Sequence, residues 1–244
     1  MMRRQEKAAI LLIHGILGTT SHFEPFLPLI PPDWAICNLS LKGHGGSVKD
    51  FSQASMREWK QQVRHALEKL SETNNKVIIA AHSMGTLFAI QEAVDRPVAE
   101  LFLLNVPLKV RATFRLFRTS WRIFTGNIKP SDKQALAAQK AYSIERDLHI
   151  LRYLGWIPRY LELFREIRRT RKIIGKLSTP SHLYLSTKDE MVSPHCGKLC
   201  KDNAYIQIKM LKSSGHFYYS PEDQCLMNQD FNSMIQRIQH DLSR

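Results

Sequence analysis

The sequence lacks any apolar run of about 18 or more residues, so no helical membrane span is expected. Its 244 residues hold only four cysteines, Cys37, Cys196, Cys200 and Cys225, too few for a disulfide framework in a chain of this length. That scarcity points to a reducing, cytoplasmic protein. The charged residues at 1–7 run straight into an apolar stretch, so no secretory leader is expected. Internal repeats and low-complexity tracts are missing. Acidic residues are also short: 22 Asp and Glu against 35 Lys and Arg leave a net charge of +13. No recognition motif accompanies that excess, so nucleic acid is not an expected partner.

What is present is a regular alternation. Apolar runs at 7–13, 34–41, 76–80, 100–106, 181–186 and 205–211 read as strands. Helical patterns fall near 21–30 and over 58–70, 86–94, 194–200 and 223–242. Strands that alternate with helices imply a mostly parallel central sheet with helices on both faces, the α/β class. The alternation stops between 107 and 177, where only helical patterns and basic residues occur. The expected organisation is therefore a core over 1–106 and 178–244, interrupted by a helical cap at 107–177. Such an insertion would lie over the carboxyl ends of the strands, where ligands bind in sheets of this kind.

One turn organises the chemistry. Ala81-His82-Ser83-Met84-Gly85 sits between the buried strand at 76–80 and the helix at 86–94. A serine at the apex of a strand–turn–helix needs small residues two before and two after it, because its backbone is strained. Ala81 and Gly85 meet that need, although the usual pattern has glycine at both places. Here the chain resembles the α/β-hydrolase family. The glycine-rich stretch Gly43-His44-Gly45-Gly46-Ser47 resembles the Gly-His-Gly-x-Ser of the bacterial carboxylesterase and monoacylglycerol lipase branch. It lacks the Lys-Ser/Thr ending of a phosphate cradle.

The resemblance implies a catalytic triad in the order serine, acid, histidine. Asp189 follows the strand at 181–186, and His216 follows Gly215 after the strand at 205–211. The implied roles are Ser83 as nucleophile, His216 as general base and then acid, and Asp189 as the orienting carboxylate. Glu190 and Asp202 remain alternative acids. His182 and His195 fall within or before the wrong elements to replace His216. His14, His44 and His82 are expected to bond backbone around the site. The family also takes two backbone N–H donors for the oxyanion, which by position are the amides of Ile16 and Met84. The side chains of Ile16 and Met84, with Trp121 and Phe217, are the expected substrate-binding groups. No metal or cofactor is implied. Cys196, Cys200 and the adjacent His195 lack a second ligand pair, so packing is the expected role of the two thiols.

The charge is concentrated. Residues 108–177 carry 17 Lys and Arg against 5 Asp and Glu, an excess of 12 out of the chain's +13. Phe114, Phe117, Trp121 and Phe124 form one helical stripe; Arg111, Arg115, Arg118 and Arg122 form another, turned by about 100°. Further on, Tyr160, Leu163, Phe164 and Ile167 are expected to share a face. One reading is a solvated basic surface over an apolar one; the other is an aromatic roof over an acyl pocket, with the basic side facing anionic lipid or an acidic carrier protein. The family resemblance implies a serine esterase acting on short-to-medium acyl esters or monoacylglycerols. The alternatives are an esterase for acyl chains on an acidic carrier protein, and a non-catalytic binding protein on the same fold.

Overall fold

All six expected strands form in the computed structural model, which describes residues 7–111 and 114–243 and, within 114–117, the backbone alone. They are β1 (Ala8–Ile13), β2 (Ala35–Leu39), β3 (Lys76–His82), β4 (Glu100–Leu104), β5 (Ser181–Ser186) and β6 (Ile206–Leu211). They make one parallel sheet in the order β2-β1-β3-β4-β5-β6. β1 and β3 lie side by side while their following segments leave in opposite directions across the sheet. That reversal opens a crevice at the carboxyl ends of the two strands. Ile13 pairs with Ala81, so the turn after β1 faces the turn after β3.

Apolar residues at successive positions, such as 8–13, 77–81 and 101–104, suit central strands buried on both sides. Ala9, Leu11 and Ile13 of β1 enter the core on one face, with Trp59, Val63 and Phe88. Ala8, Ile10 and Leu12 enter the opposite core, with Phe26, Phe102 and Phe231. The helices on the first side include α2 (Met56–Thr73) and α3 (Met84–Asp95); α7 (Pro221–Leu242) covers the other. A short α1 (Val48–Gln53) precedes α2, started by a capping box between Ser47 and Asp50.

Two expected helices take a tighter form. The segment near 21–30 folds as 3-10 turns at Thr20–Phe23 and Leu27–Leu29. Pro25 and Pro28 interrupt α-helical hydrogen bonding there, while Phe23 and Phe26 still reach the core. The segment near 194–200 is a 3-10 helix over Pro194–Leu199, with Gly197 pressed against Leu185 and Ile208.

Between β4 and β5 the chain is helical, as its pattern predicts: α4 (Phe114–Thr125), α5 (Lys133–Ala141), a 3-10 helix at Ile150–Trp156, and α6 (Ile157–Ile173). It is fastened to the core along its length. Ser143 N–H donates to the Leu17 carbonyl at 2.9 Å, and Glu145 N–H to that of Gly46 at 3.0 Å. Trp156 Nε1 donates to the Val48 carbonyl at 3.2 Å, and Glu162 accepts from Met56 N–H at 3.1 Å. Arg171 donates to the Leu108 carbonyl. On α6 the buried face is Leu163, Ile167 and Thr170, while Phe164 turns outward beside Ile157 and Leu161. The expected grouping of Phe164 with Leu163 and Ile167 is thus corrected; at 100° per residue Phe164 belongs to the neighbouring stripe. The side chains of Phe114, Arg115 and Phe117 lie outside the described residues. No helix among the described residues is long and apolar enough to cross a membrane.

Candidate active site

A single residue separates β3 from α3. Ser83 has φ 50° and ψ −121°, the left-handed side that a non-glycine residue seldom occupies. Its N–H donates to the Leu104 carbonyl at 2.9 Å, which ties the turn to β4. The turn is tight enough to dictate its neighbours. A Cβ on Gly85 would stand 2.7 Å from the His14 carbonyl oxygen. A Cβ on Gly15 would stand 2.9 Å from the Ser83 Cβ. Glycine is needed at both for close approach, whereas Ala81 is accommodated in full burial.

The structure brings Ser83, His216 and Asp189 together from the ends of three different strands. His216 Nε2 lies 3.0 Å from Ser83 Oγ, and its Nδ1 lies 2.8 Å from Asp189 Oδ2. The other carboxylate oxygen of Asp189 accepts N–H bonds from Met191 and Val192, both 2.7 Å. Arg111 donates to the Asp189 backbone carbonyl, with its Nε at 3.2 Å. The carboxylate is thereby fixed before it meets the imidazole. In neutral His216 the Nδ1–H donates to Asp189, which leaves the Nε2 lone pair for the serine O–H.

The histidine loop is held at several points; the sequence predicts only the His82 contact with backbone. Asn105, at φ 53° after β4, donates through Nδ2 to the His216 carbonyl at 3.1 Å and accepts from Ser186 N–H at 3.1 Å. His82 Nε2 is 3.0 Å from that same carbonyl, and a carbonyl only accepts, so the His82 proton sits on Nε2. Glu190 accepts from His216 N–H at 3.3 Å. Ser214 Oγ donates to Asp223 at 2.6 Å and accepts from Ser220 N–H. The ring of Phe217 stands edge-on to that of His216, with centroids 4.7 Å apart.

Burial acts on His216 to lower its pKa, but the Asp189 charge and hydrogen bond, joined by the Glu190 charge, outweigh it and raise the pKa above 6.5. Four other histidines line the crevice with lowered pKa values, each chiefly through burial: His14 to about 4, His22 to about 3, His44 to about 3, and His82 well below 6.5. His14 Nε2 accepts from Leu41 N–H at 3.1 Å, and His44 Nε2 accepts from Leu17 N–H at 3.2 Å. His22, which has no obvious signature in the sequence, stacks on His82 at 3.8 Å between ring centroids.

The two predicted backbone donors belong to the turns after β3 and β1. Met84 is the first residue of α3, so its N–H has no acceptor within the helix. Ile16 lies in a turn closed by Gly18 N–H on the Gly15 carbonyl at 3.0 Å, with Leu17 at φ 57°. Of the predicted substrate-binding side chains, Ile16 and Met84 are buried beside the turn and Phe217 is against the histidine. Trp121 is 67% exposed on α4, where its ring faces Phe124. Cys196 and Cys200 are buried, and burial pushes their thiols up to about 12 and about 11. Among the described residues no group of three or more His, Cys, Asp or Glu is disposed to hold a metal.

Over 193 residues the chain is 20% identical to the thermostable monoacylglycerol lipase of Bacillus sp. (strain H-257), covering 76% of this chain and 72% of that one. It is 26% identical over 97 residues to the pimeloyl-[acyl-carrier protein] methyl ester esterase of Legionella pneumophila (strain Corby), covering 40% of this chain and 36% of the relative. A solved structure from work on the metagenome-derived lipolytic enzymes LipS and LipT superposes with a TM-score of 0.71 at 17% identity, covering 96% of this chain and 95% of that one. The model of the alpha/beta hydrolase family matches residues 10–225, from within β1 to within α7, and the chain belongs to that family.

Proposed function

We propose that the protein is a carboxylic-ester serine hydrolase that cleaves short-to-medium acyl esters or monoacylglycerols through an acyl-enzyme on Ser83. The observation that carries this reading is one imidazole, His216, spanning from the Ser83 hydroxyl at 3.0 Å to the Asp189 carboxylate at 2.8 Å. Ser83 Oγ attacks the ester carbonyl while His216 Nε2 takes its proton. The oxyanion is met by the N–H groups of Met84 and Ile16. The alcohol departs with the proton held by His216, leaving Ser83 acylated. Water then attacks the acyl carbon, again giving its proton to His216, and the acid leaves as Ser83 recovers the proton. Asp189 stays ionised throughout and holds the ring in the tautomer that exposes Nε2. Residues 107–177 act as the cap over the acyl chain, with Phe217 and the side chains of Ile16 and Met84 at the reacting end. Trp121, being exposed, would meet substrate at the outer rim. The four free cysteines fit a cytoplasmic setting.

A panel of p-nitrophenyl esters from acetyl to dodecanoyl, run beside monoacylglycerols, tests the substrate class. Turnover of the shorter and middle members is expected, and no turnover of any free ester would contradict the reading. A second reading, hydrolysis of a methyl ester on an acyl chain carried by an acidic protein, draws on the pimeloyl-carrier esterase relative and on the basic insertion. Hydrolysis confined to the carrier-bound ester would favour it.

The raised pKa of His216 sets the acid side of the pH profile. His216 must be neutral to accept the serine proton, so kcat/KM falls as pH drops through a midpoint above 6.5. Asp189→Asn removes the charge that raises it. That variant is expected to lose about 10⁴ in kcat, and any residual activity to show an acid limb at lower pH. A midpoint below that of free imidazole in the parent protein would contradict the assignment.

A further inference from the structure

Apart from Trp121, the most exposed large apolar side chains among the described residues lie in one segment. Leu151 is 80% exposed, Leu148 72%, Ile150 69% and Leu154 60%, and Ile157 and Leu161 are also exposed. Residues 148, 151, 154 and 157 are spaced by three. The 3-10 helix at Ile150–Trp156 has three residues per turn, so Leu151 and Leu154 stack in one row that leads to Ile157, with Leu148 just ahead of the helix. The row passes without a break into α6, where 157, 161, 165, 168 and 172 fall within an arc of about 80°. Its first members are Ile157 and Leu161; its last are Arg165, Arg168 and Lys172, all exposed. None of these three cations is in an ion pair among the described residues, although Arg152 pairs with Asp147, and Arg159 with Glu162. The surface is thus an apolar ridge half of one continuous stripe and an unpaired basic row for the other half.

We infer that this stripe seats the protein on an anionic lipid surface, with the leucines in the headgroup–acyl boundary and the basic row against the phosphates. An exposed aliphatic row of this size marks a contact surface. The charge decides which contact. A second copy would bring the same excess of 12 positive charges toward its twin. An acidic protein would satisfy the arginines and leave the leucine row wet. A bilayer with anionic headgroups supplies apolar depth and negative charge side by side, as interfacial helices require. The seated segment is joined to the reaction site: Ser143, five residues before Leu148, holds the Leu17 carbonyl of the turn that carries Ile16.

Co-sedimentation of the full chain with phosphatidylcholine vesicles, with and without phosphatidylglycerol, tests this. The Ser83→Ala variant serves as well, so the outcome is independent of whether Ser83 is a nucleophile. Binding is expected to the anionic vesicles and to weaken with salt. Leu151→Asp with Leu154→Asp should lower the partition by at least about tenfold, leaving the thermal midpoint unchanged because both side chains are exposed. Arg165→Gln, Arg168→Gln and Lys172→Gln together should remove the preference for anionic vesicles, a loss on the order of a hundredfold. Failure to bind vesicles, or binding untouched by the leucine changes, would overturn the inference. So would a solution dimer dissolved by those same changes, or retention by acyl carrier protein in place of vesicles.

Discussion

Replacing Ser83 with alanine is expected to lower kcat for a p-nitrophenyl acyl ester by about 10⁶ while leaving the fold in place. In the proposed mechanism the size follows from how the three groups depend on one another. His216 has a single task at Nε2, and without the Ser83 Oγ at 3.0 Å it has no proton to take. Asp189 orients that ring and contributes nothing by itself once the nucleophile is gone. What remains is the residual effect of two amides on water attack, which is small beside the covalent route. His216→Ala should cost nearly as much, and the double variant little more, because groups that act as a unit are not additive. The fold should tolerate Ser83→Ala. The backbone of residue 83 is held by its N–H on Leu104 and by the glycines at 15 and 85, not by the hydroxyl. The thermal midpoint should move by no more than a few degrees. Unchanged turnover in this variant would contradict a serine mechanism.

Stability is expected to collapse in mild acid, and the crevice histidines are the cause. His14, His22 and His44 have pKa values lowered from 6.5 to about 4, about 3 and about 3, and His82 lies well below 6.5. In the unfolded chain each takes a proton near 6.5; in the folded chain each refuses it. The unfolded state therefore binds more protons as pH falls below 6.5, and folding stability declines. Each group contributes about 1.4 kcal/mol per pH unit, so four together contribute on the order of 5 kcal/mol per unit until the folded groups begin to titrate. His216 has the opposite sign. Its raised pKa gives stability that is fully present below 6.5 and is lost only as pH rises through its folded value. It adds no slope in the acid range and leaves the decline unopposed. Against a total of about 5–15 kcal/mol, unfolding should be well advanced before pH 4. Denaturant midpoints measured as pH is lowered from 7 should show it, and a flat profile would contradict it. His22→Phe keeps a flat ring on His82 and removes the titrating group, whose Nε2 has no partner. Its acid slope should be shallower by about 1.4 kcal/mol per pH unit.

The strands were legible because β1 is apolar at every position and β3 and β4 are so between their polar ends, over 77–81 and 101–104, as expected of a sheet covered on both faces. The turn at Ser83 was legible from its small residues Ala81 and Gly85, and crowding at the His14 carbonyl explains the glycine at 85. Local signals passed over account for the misread segments. Pro25 and Pro28 stand inside the stretch read as a helix, and Ser47 with Asp50 announces α1. The supports of the histidine loop were not legible. Asn105 takes a left-handed φ at the end of β4, and nothing in Leu104-Asn105-Val106 tells that its amide will meet the carbonyl of His216, 111 residues away. His22 reaches the site through a contact with His82, 60 residues away, and Glu190 through one with His216, 26 residues away. The exposed row from Leu151 to Leu161 is hidden in the sequence because its spacing changes from three in the 3-10 helix to four in α6, so no single helical period fits it.

The most direct measurement is reaction with a fluorophosphonate, followed by peptide mapping of the adduct. A serine whose proton is drawn by His216 should be labelled at one site, Ser83, with labelling abolished by Ser83→Ala and slowed by orders of magnitude in His216→Ala. An intact protein that takes no label, or takes it on another residue, would show that the hydroxyl beside His216 is not a nucleophile.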